Sequence, residues 1–134
     1  MARTETLSRT MHDVGLAAWF GGSLKDAVDP RASAGPMPLN AAAIGAHVLG
    51  ALELTWANKK RIKDQKGVAT TALVKAGVTG AALVATAFAQ RKPAARWAVP
   101  ALTGAMLSLN ALMGEQQRPK EVAKGVFQRY VPGL

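Results

Sequence analysis

Apolar and polar positions in this chain fall into blocks. Four mostly apolar stretches, at about 8–25, 39–58, 67–90 and 94–113, are separated by short runs that hold most of the charge. The third is the clearest. It reads GVATTALVKAGVTGAALVATAFAQ, with no proline and one charge, Lys75. Lys63, Asp64 and Lys66 precede it; Arg91, Lys92 and Arg96 follow. A hydrocarbon layer takes about 20 apolar residues of helix to cross, so length and flanks together predict a membrane span. The stretch 39–58 (LNAAAIGAHVLGALELTWAN) has a similar length and is read as the second span, with Trp56 at headgroup level. The fourth, 94–113, carries Trp97 near one end and Pro100 a turn or so inside, where a proline kinks a helix or marks its true start. The first is the least hydrophobic, holding His12, Asp13 and the Gly21-Gly22 pair. The predicted fold is all-α: a four-helix antiparallel transmembrane bundle in a single domain.

The intervening segments support this division. Residues 25–38 (KDAVDPRASAGPMP) read as a loop, with Pro38 placed to open the next helix. A secretory signal peptide is the competing reading of the N-terminus, with Arg3 and Arg9 before an apolar stretch and Ala32-Ser33-Ala34 resembling a cleavage site. Glu5, Asp13 and the charged spacer argue against it. In the tail, 114–134, Val122, Val126, Phe127 and Tyr130 share one side of a helix, which predicts a short amphipathic helix at an interface. A soluble docking helix is the alternative there. Small residues recur at four-residue spacing in the second span (Ala42, Ala46, Gly50) and the third (Gly77, Ala81, Ala85, Ala89), and the two stripes are expected to pack together.

Composition adds two constraints. With no cysteine among 134 residues there are no disulfides and no thiolate metal sites. The net charge of +9 calls for an acidic partner. Its cations flank apolar runs and show no interleaved aromatics, which favours anionic lipid headgroups over nucleic acid. Lys59, Lys60, Arg61, Lys63 and Lys66 are the expected headgroup contact. Other membrane proteins, or a second copy of the chain, are further expected partners. With four spans, Arg3, Arg9, these five and Arg118, Lys120, Lys124 and Arg129 lie on one side; only Lys25, Arg31, Arg91, Lys92 and Arg96 lie on the other. The basic excess places both termini in the cytoplasm, in a multi-pass plasma-membrane protein.

Candidate chemistry is confined to polar residues inside the spans. Asp13, Glu53 and Lys75 all fall in the cytoplasmic half. A charge there costs about 2.5–3.5 kcal/mol on insertion scales, so a Lys75–Glu53 ion pair across the second and third helices is expected, with Asp13 and His12 nearby. Such a pair serves as structural glue; the functional alternative is a proton or ion relay that includes His47. His12 is the only other histidine, and its estimated depth differs from that of His47 by several residues, which disfavours a two-histidine haem. Neither EXXH nor HXXXH spacing is present, so no metal or cofactor is expected. Nothing resembles a hydrolase, phosphate-loop or dinucleotide motif, and no catalytic residue is predicted.

Two segments, TMHDVGLAAWFGGSL (10–24) and VPALTGAMLSLNALMGEQQRP (99–119), resemble the opening and closing segments of small uncharacterised multi-pass membrane proteins of actinobacteria. LNAAAIGAHVLG in the middle is similar too. Together they cover about a third of the chain. It departs from that pattern at Lys25-Asp26, where the relatives continue apolar. More narrowly, His12 followed by Trp19-Phe20-Gly21-Gly22 resembles the first-helix motif of copper-resistance D-type membrane proteins, which would imply metal or haem handling at His12. The reading is a non-enzymatic integral membrane protein with a structural or accessory role. One alternative is a transport, metal or haem-handling accessory protein using His12, His47, Glu53 and Lys75. Another is a soluble basic helical protein that binds nucleic acid.

Overall fold

A computed structural model describes residues 2–31, 37–64 and 67–116, and these are all-helical. Helix α1 spans Ala2–Val28, α2 Met37–Ala57, α3 Lys59–Asp64, α4 Val68–Phe88 and α5 Pro93–Gln116. The predicted amphipathic tail lies outside the described residues, except for its first three positions, which extend α5.

The boundaries follow local chemistry. Residues 25–28, expected in a loop, are the last turn of α1. No glycine or proline interrupts them, Lys25 suits the negative end of the helix dipole, and Asp29 N–H closes on the Lys25 carbonyl at 2.8 Å. The Asp29 carboxylate then accepts the Arg31 N–H across Pro30, a side-chain turn that ends the helix. The basic tract after α2 is itself a short helix, α3. Gly67, with φ +92°, supplies the left-handed residue that turns the chain into α4. Pro93 opens α5, where its missing N–H has no partner to lose. Pro100 neither starts nor ends that helix: α5 runs through it, and the Thr103 hydroxyl bonds the Val99 carbonyl at 2.8 Å one turn on.

The four long helices alternate in direction. Close contacts at three glycines fix the register: Gly15 faces the backbone of Ala43 and His47, Gly50 faces the backbone of Ser8 and His12, and the Phe20 ring lies against Gly104. Helix α1 is the spine. It packs on α2 and α5, α5 packs on α4, and α2 and α4 barely approach each other through their backbones. The inward face of α1, namely Ser8, His12, Gly15, Leu16, Trp19, Ser23 and Ala27, repeats with helical period. Trp19 is fully buried and fills the space that α2 and α4 leave between them, in one cluster with Ala43, Ala82, Ala85, Val99 and Met106.

This arrangement corrects the expected pairing of small-residue stripes. Gly50 packs on α1, and Gly77 and Ala81 are exposed. The inward face of α4 keeps Ala85 and Ala89 of the expected stripe, but in the N-terminal half it is displaced by one position, to Lys75, Val78 and Ala82. Small residues surround α4 on nearly every side, so their spacing alone does not single out the buried stripe.

The tightest contact is the α1–α2 crossing. A Cβ at Gly15 would stand 2.6 Å from the Ala43 carbonyl oxygen and the His47 nitrogen; one at Gly50 would stand 2.5 Å from the Ser8 oxygen and 2.6 Å from the His12 nitrogen. Backbone faces backbone at both points. Glycine to alanine inside a helix ordinarily stabilises by about 0.5–1 kcal/mol, and Gly45→Ala, with open space around it, should follow that rule. Gly50→Ala and Gly15→Ala should reverse the sign, losing about 1–3 kcal/mol through overpacking, as read by denaturant unfolding followed by circular dichroism.

Candidate functional site

Both histidines sit at this crossing. Each is followed by glycine three residues later, in His12-Asp13-Val14-Gly15 and His47-Val48-Leu49-Gly50. In an antiparallel pair that repeat is reciprocal: the glycine of each helix makes room for the histidine of the other. The rings lie 4.4 Å apart, centroid to centroid, at 40°. His12 is 3% exposed and His47 is fully buried. The expected difference in depth is therefore wrong, because α1 extends further toward its N-terminus and meets α2 in a register that levels the two residues.

The hydrogen bonds determine the tautomers. His47 Nδ1 lies 3.0 Å from the His12 carbonyl oxygen, which can only accept, so Nδ1 carries the proton and Nε2 a lone pair. That Nε2 is buried and has no partner. His12 Nδ1 lies 2.8 Å from Asp13 Oδ1, so it donates to the carboxylate, leaving Nε2 to accept from Lys75 Nζ at 2.7 Å. An unbroken line thus runs from Asp13 through the imidazole to Lys75. Asn110 Nδ2 of α5 stands 3.4 Å from the same Asp13 oxygen.

The remaining polar residues frame this line. Thr79 Oγ1 lies 2.8 Å from the Lys75 carbonyl and 2.9 Å from Met106 Sδ. Trp19 Nε1 donates to Thr86 Oγ1 at 3.2 Å, and that hydroxyl donates to the Ala82 carbonyl. Asp13, with its side chain 57% exposed, lines a surface cavity of about 520 Å³ with Glu5, Thr6, Arg9, Thr10 and Val14.

The expected partners are therefore redistributed. Lys75 and Asp13 are brought together, but through His12. Glu53 makes no pair with Lys75; it is exposed and accepts a hydrogen bond from Ser8 Oγ. In the antiparallel register Glu53 stands level with Ser8, about a turn beyond His12 and out of reach of Lys75. Lys59, Lys60 and Lys63 are exposed on α3, and Lys59 Nζ stands 4.4 Å over the Trp56 ring, a cation–π contact. The side chains of Arg61 and Lys66 lie outside the described residues. Among the described residues no group of three or more potential ligands could hold a metal ion, and two rings in contact leave no gap for a haem plane between them.

Chemically, the site is a line of proton donors and acceptors, and it joins four helices. Lys75→Met leaves His12 Nε2 buried without its donor, which should cost about 1–3 kcal/mol. A double-mutant cycle of Lys75→Met with His12→Phe should return a coupling energy of about 0.5–3 kcal/mol, whereas Lys75→Met with Glu53→Gln should be additive. Unfolding free energies of the six chains, including the parent, measure both.

No protein-family model matches this chain, and no curated protein and no solved structure matches it either; its function is therefore argued from the residues and contacts just described.

Proposed function

We propose that this chain is a small integral membrane protein, a four-helix bundle crossing the bilayer with a structural or accessory role in the plasma membrane. The observation that carries this reading is the inverted distribution of polarity. The only charge within α4, Lys75, turns inward, while its neighbours Leu73 and Val74 turn out, Leu73 at 74% exposure. Val14 and Leu24 of α1, Leu39, Leu49 and Leu52 of α2, Val84 and Phe88 of α4, and Leu112 of α5 are also exposed, whereas Ser8, His12, Ser23, His47 and Thr103 are buried. In water this arrangement leaves the hydrophobic contribution small, because four of the nine buried apolar residues among those described are alanines and burial is worth roughly 25 cal/mol per Å². In lipid it is the expected arrangement: apolar side chains meet the acyl chains, polar ones meet each other, and small residues let helices close.

Helix α4 is long and apolar enough to cross a bilayer by length and composition. The other three long helices carry the histidines, the carboxylates or Pro100, which lowers their hydropathy, and the proposal has them cross beside α4. Charges gather at the two ends of the bundle. Glu5, Arg9, Lys59, Lys60 and Lys63 mark one end; Lys25, Asp26, Arg91 and Lys92 mark the other. Trp56 at 74% exposure and Trp97 at 55% stand near these ends, where indoles favour headgroups. The basic excess orients the termini and α3 toward the cytoplasm, where Lys59, Lys60 and Lys63 contact anionic headgroups.

Alkaline carbonate extraction of membranes tests this directly: the chain should stay in the pellet, and release into the supernatant would refute it. Leu83→Arg, on the outer face of α4, should cut membrane insertion, by about 2.5–3.5 kcal/mol on the insertion scale. A protein folded in water would tolerate that exposed charge, so an unchanged pellet fraction and unchanged stability would count against the bilayer.

A further inference from the structure

The Asp13–His12–Lys75 line has one end at the exposed Asp13 carboxylate, in a surface depression it shares with the polar Glu5, Thr6, Arg9 and Thr10 of the N-terminal half of α1, and the other inside the bundle. Beyond it the interior closes. Leu16, Trp19, Ala82, Ala85 and Met106 are buried above the imidazoles. The next buried hydroxyls, Ser23 and Thr103, are turned back onto their own helices at Phe20 and Val99. No titratable group lies between this plug and the charges at the far end of the bundle among the described residues.

We propose that Lys75 is a proton-binding site inside the bilayer that exchanges with water on the N-terminal side alone, by way of His12 and Asp13. The inference rests on the membrane reading above and adds a ligand, the proton, and a direction of access. Release runs along bonds already formed. The Lys75 Nζ–H bond breaks as His12 Nε2–H forms; His12 Nδ1–H breaks as Asp13 Oδ1–H forms; Asp13 then gives its proton to water in the cavity. Lys75 is left a neutral amine accepting from His12 Nε2–H, Asp13 is again a carboxylate, and one proton has left. Uptake is the reverse. After release the Nδ1 lone pair faces a carboxylate, and the repulsion turns Asp13 toward the amide of Asn110, already 3.4 Å away.

The groups facing Lys75 are few. From α1 they are His12 and Asp13; from α2, His47; α5 contributes Asn110, which does not titrate. The His12 carbonyl fixes His47 with its proton on Nδ1, and its unpartnered Nε2 is buried beside the relay. Glu53 faces away, onto Ser8. Each release therefore switches His12 from the Nδ1–H to the Nε2–H tautomer, which a simple structural tie between lysine and histidine would not do.

The test is a pH titration of the ¹⁵N-labelled chain in lipid bilayers. The chain has two histidines, so comparison with His47→Gln assigns the His12 signals. The expected result is Nδ1–H at neutral pH and conversion to Nε2–H in the same step in which Lys75 becomes an amine, with Asp13→Asn abolishing the conversion. Lys75 titrating while His12 keeps its tautomer, or His12 becoming imidazolium, would overturn the proposal without touching the membrane assignment. Dye-loaded vesicles give the second measurement. Under an imposed pH gradient the native chain should pass no protons above the empty-vesicle rate, and Trp19→Ala should open a leak that His12→Gln in the same background closes. A leak indifferent to His12 would also refute the relay. Should Trp19→Ala not fold, the tautomer titration decides.

Discussion

The rest of this structure depends on two helices touching backbone to backbone. At Gly15 and Gly50 there is no room for even a methyl group, and that closeness is what stacks His12 on His47 and hands the His12 carbonyl to the His47 ring. A carbonyl already engaged within its helix has a second lone pair to offer, but only a neighbour approaching this closely can reach it. The contact is cheap where the surroundings are lipid, since no hydrophobic force separates lipid-facing from helix-facing leucine and packing of small residues decides which faces meet. Two glycines thus set the register, and the register sets the site.

Around that crossing the bundle is asymmetric. Three of the four possible neighbour contacts are close, and the fourth, between α2 and α4, is bridged by side chains of α1: Trp19 reaches Thr86, and His12 reaches Lys75. Helix α1 carries polar residues on its buried face because it alone stands between the other three. Its low hydropathy follows from that position.

Much of the architecture was legible in the blocks of the sequence. The helical class, the placement of the four long segments, the turning inward of Lys75 and the closeness of Asp13 to it all follow from length, charge and the cost of an isolated ion in an apolar layer. Register and faces were not legible. A period of 3.6 reveals a buried stripe only when the opposite side is polar, and α4 offers alanine and glycine all round; for that reason its spacing identifies Ala85 and Ala89 but points to Gly77 and Ala81 where Val78 and Ala82 face inward. The partner of Lys75 was misjudged because opposite charge was weighed before depth. The signal that would have found the histidine pair was present in the chain: the same His-x-x-Gly spacing in two consecutive helices, which in an antiparallel pair can be mutually satisfied.

The choice of His12 over Glu53 as the partner of Lys75 has a physical logic. A buried carboxylate and ammonium must both be stripped of water, and their attraction in a low dielectric often only balances that loss. An imidazole is neutral to begin with, so bringing it inside costs little. It accepts from the ammonium on one side and donates to a carboxylate that remains at the edge, 57% exposed, in an open surface depression. The negative charge thereby stays at the exposed edge while its influence is carried inward through a polarisable ring. Glu53 likewise keeps to the exposed rim, tied to Ser8. Asp13 and Glu53 therefore both stand at the surface and the cation stands inside, joined to Asp13 by a group that conducts the interaction and can change which of its nitrogens holds the proton.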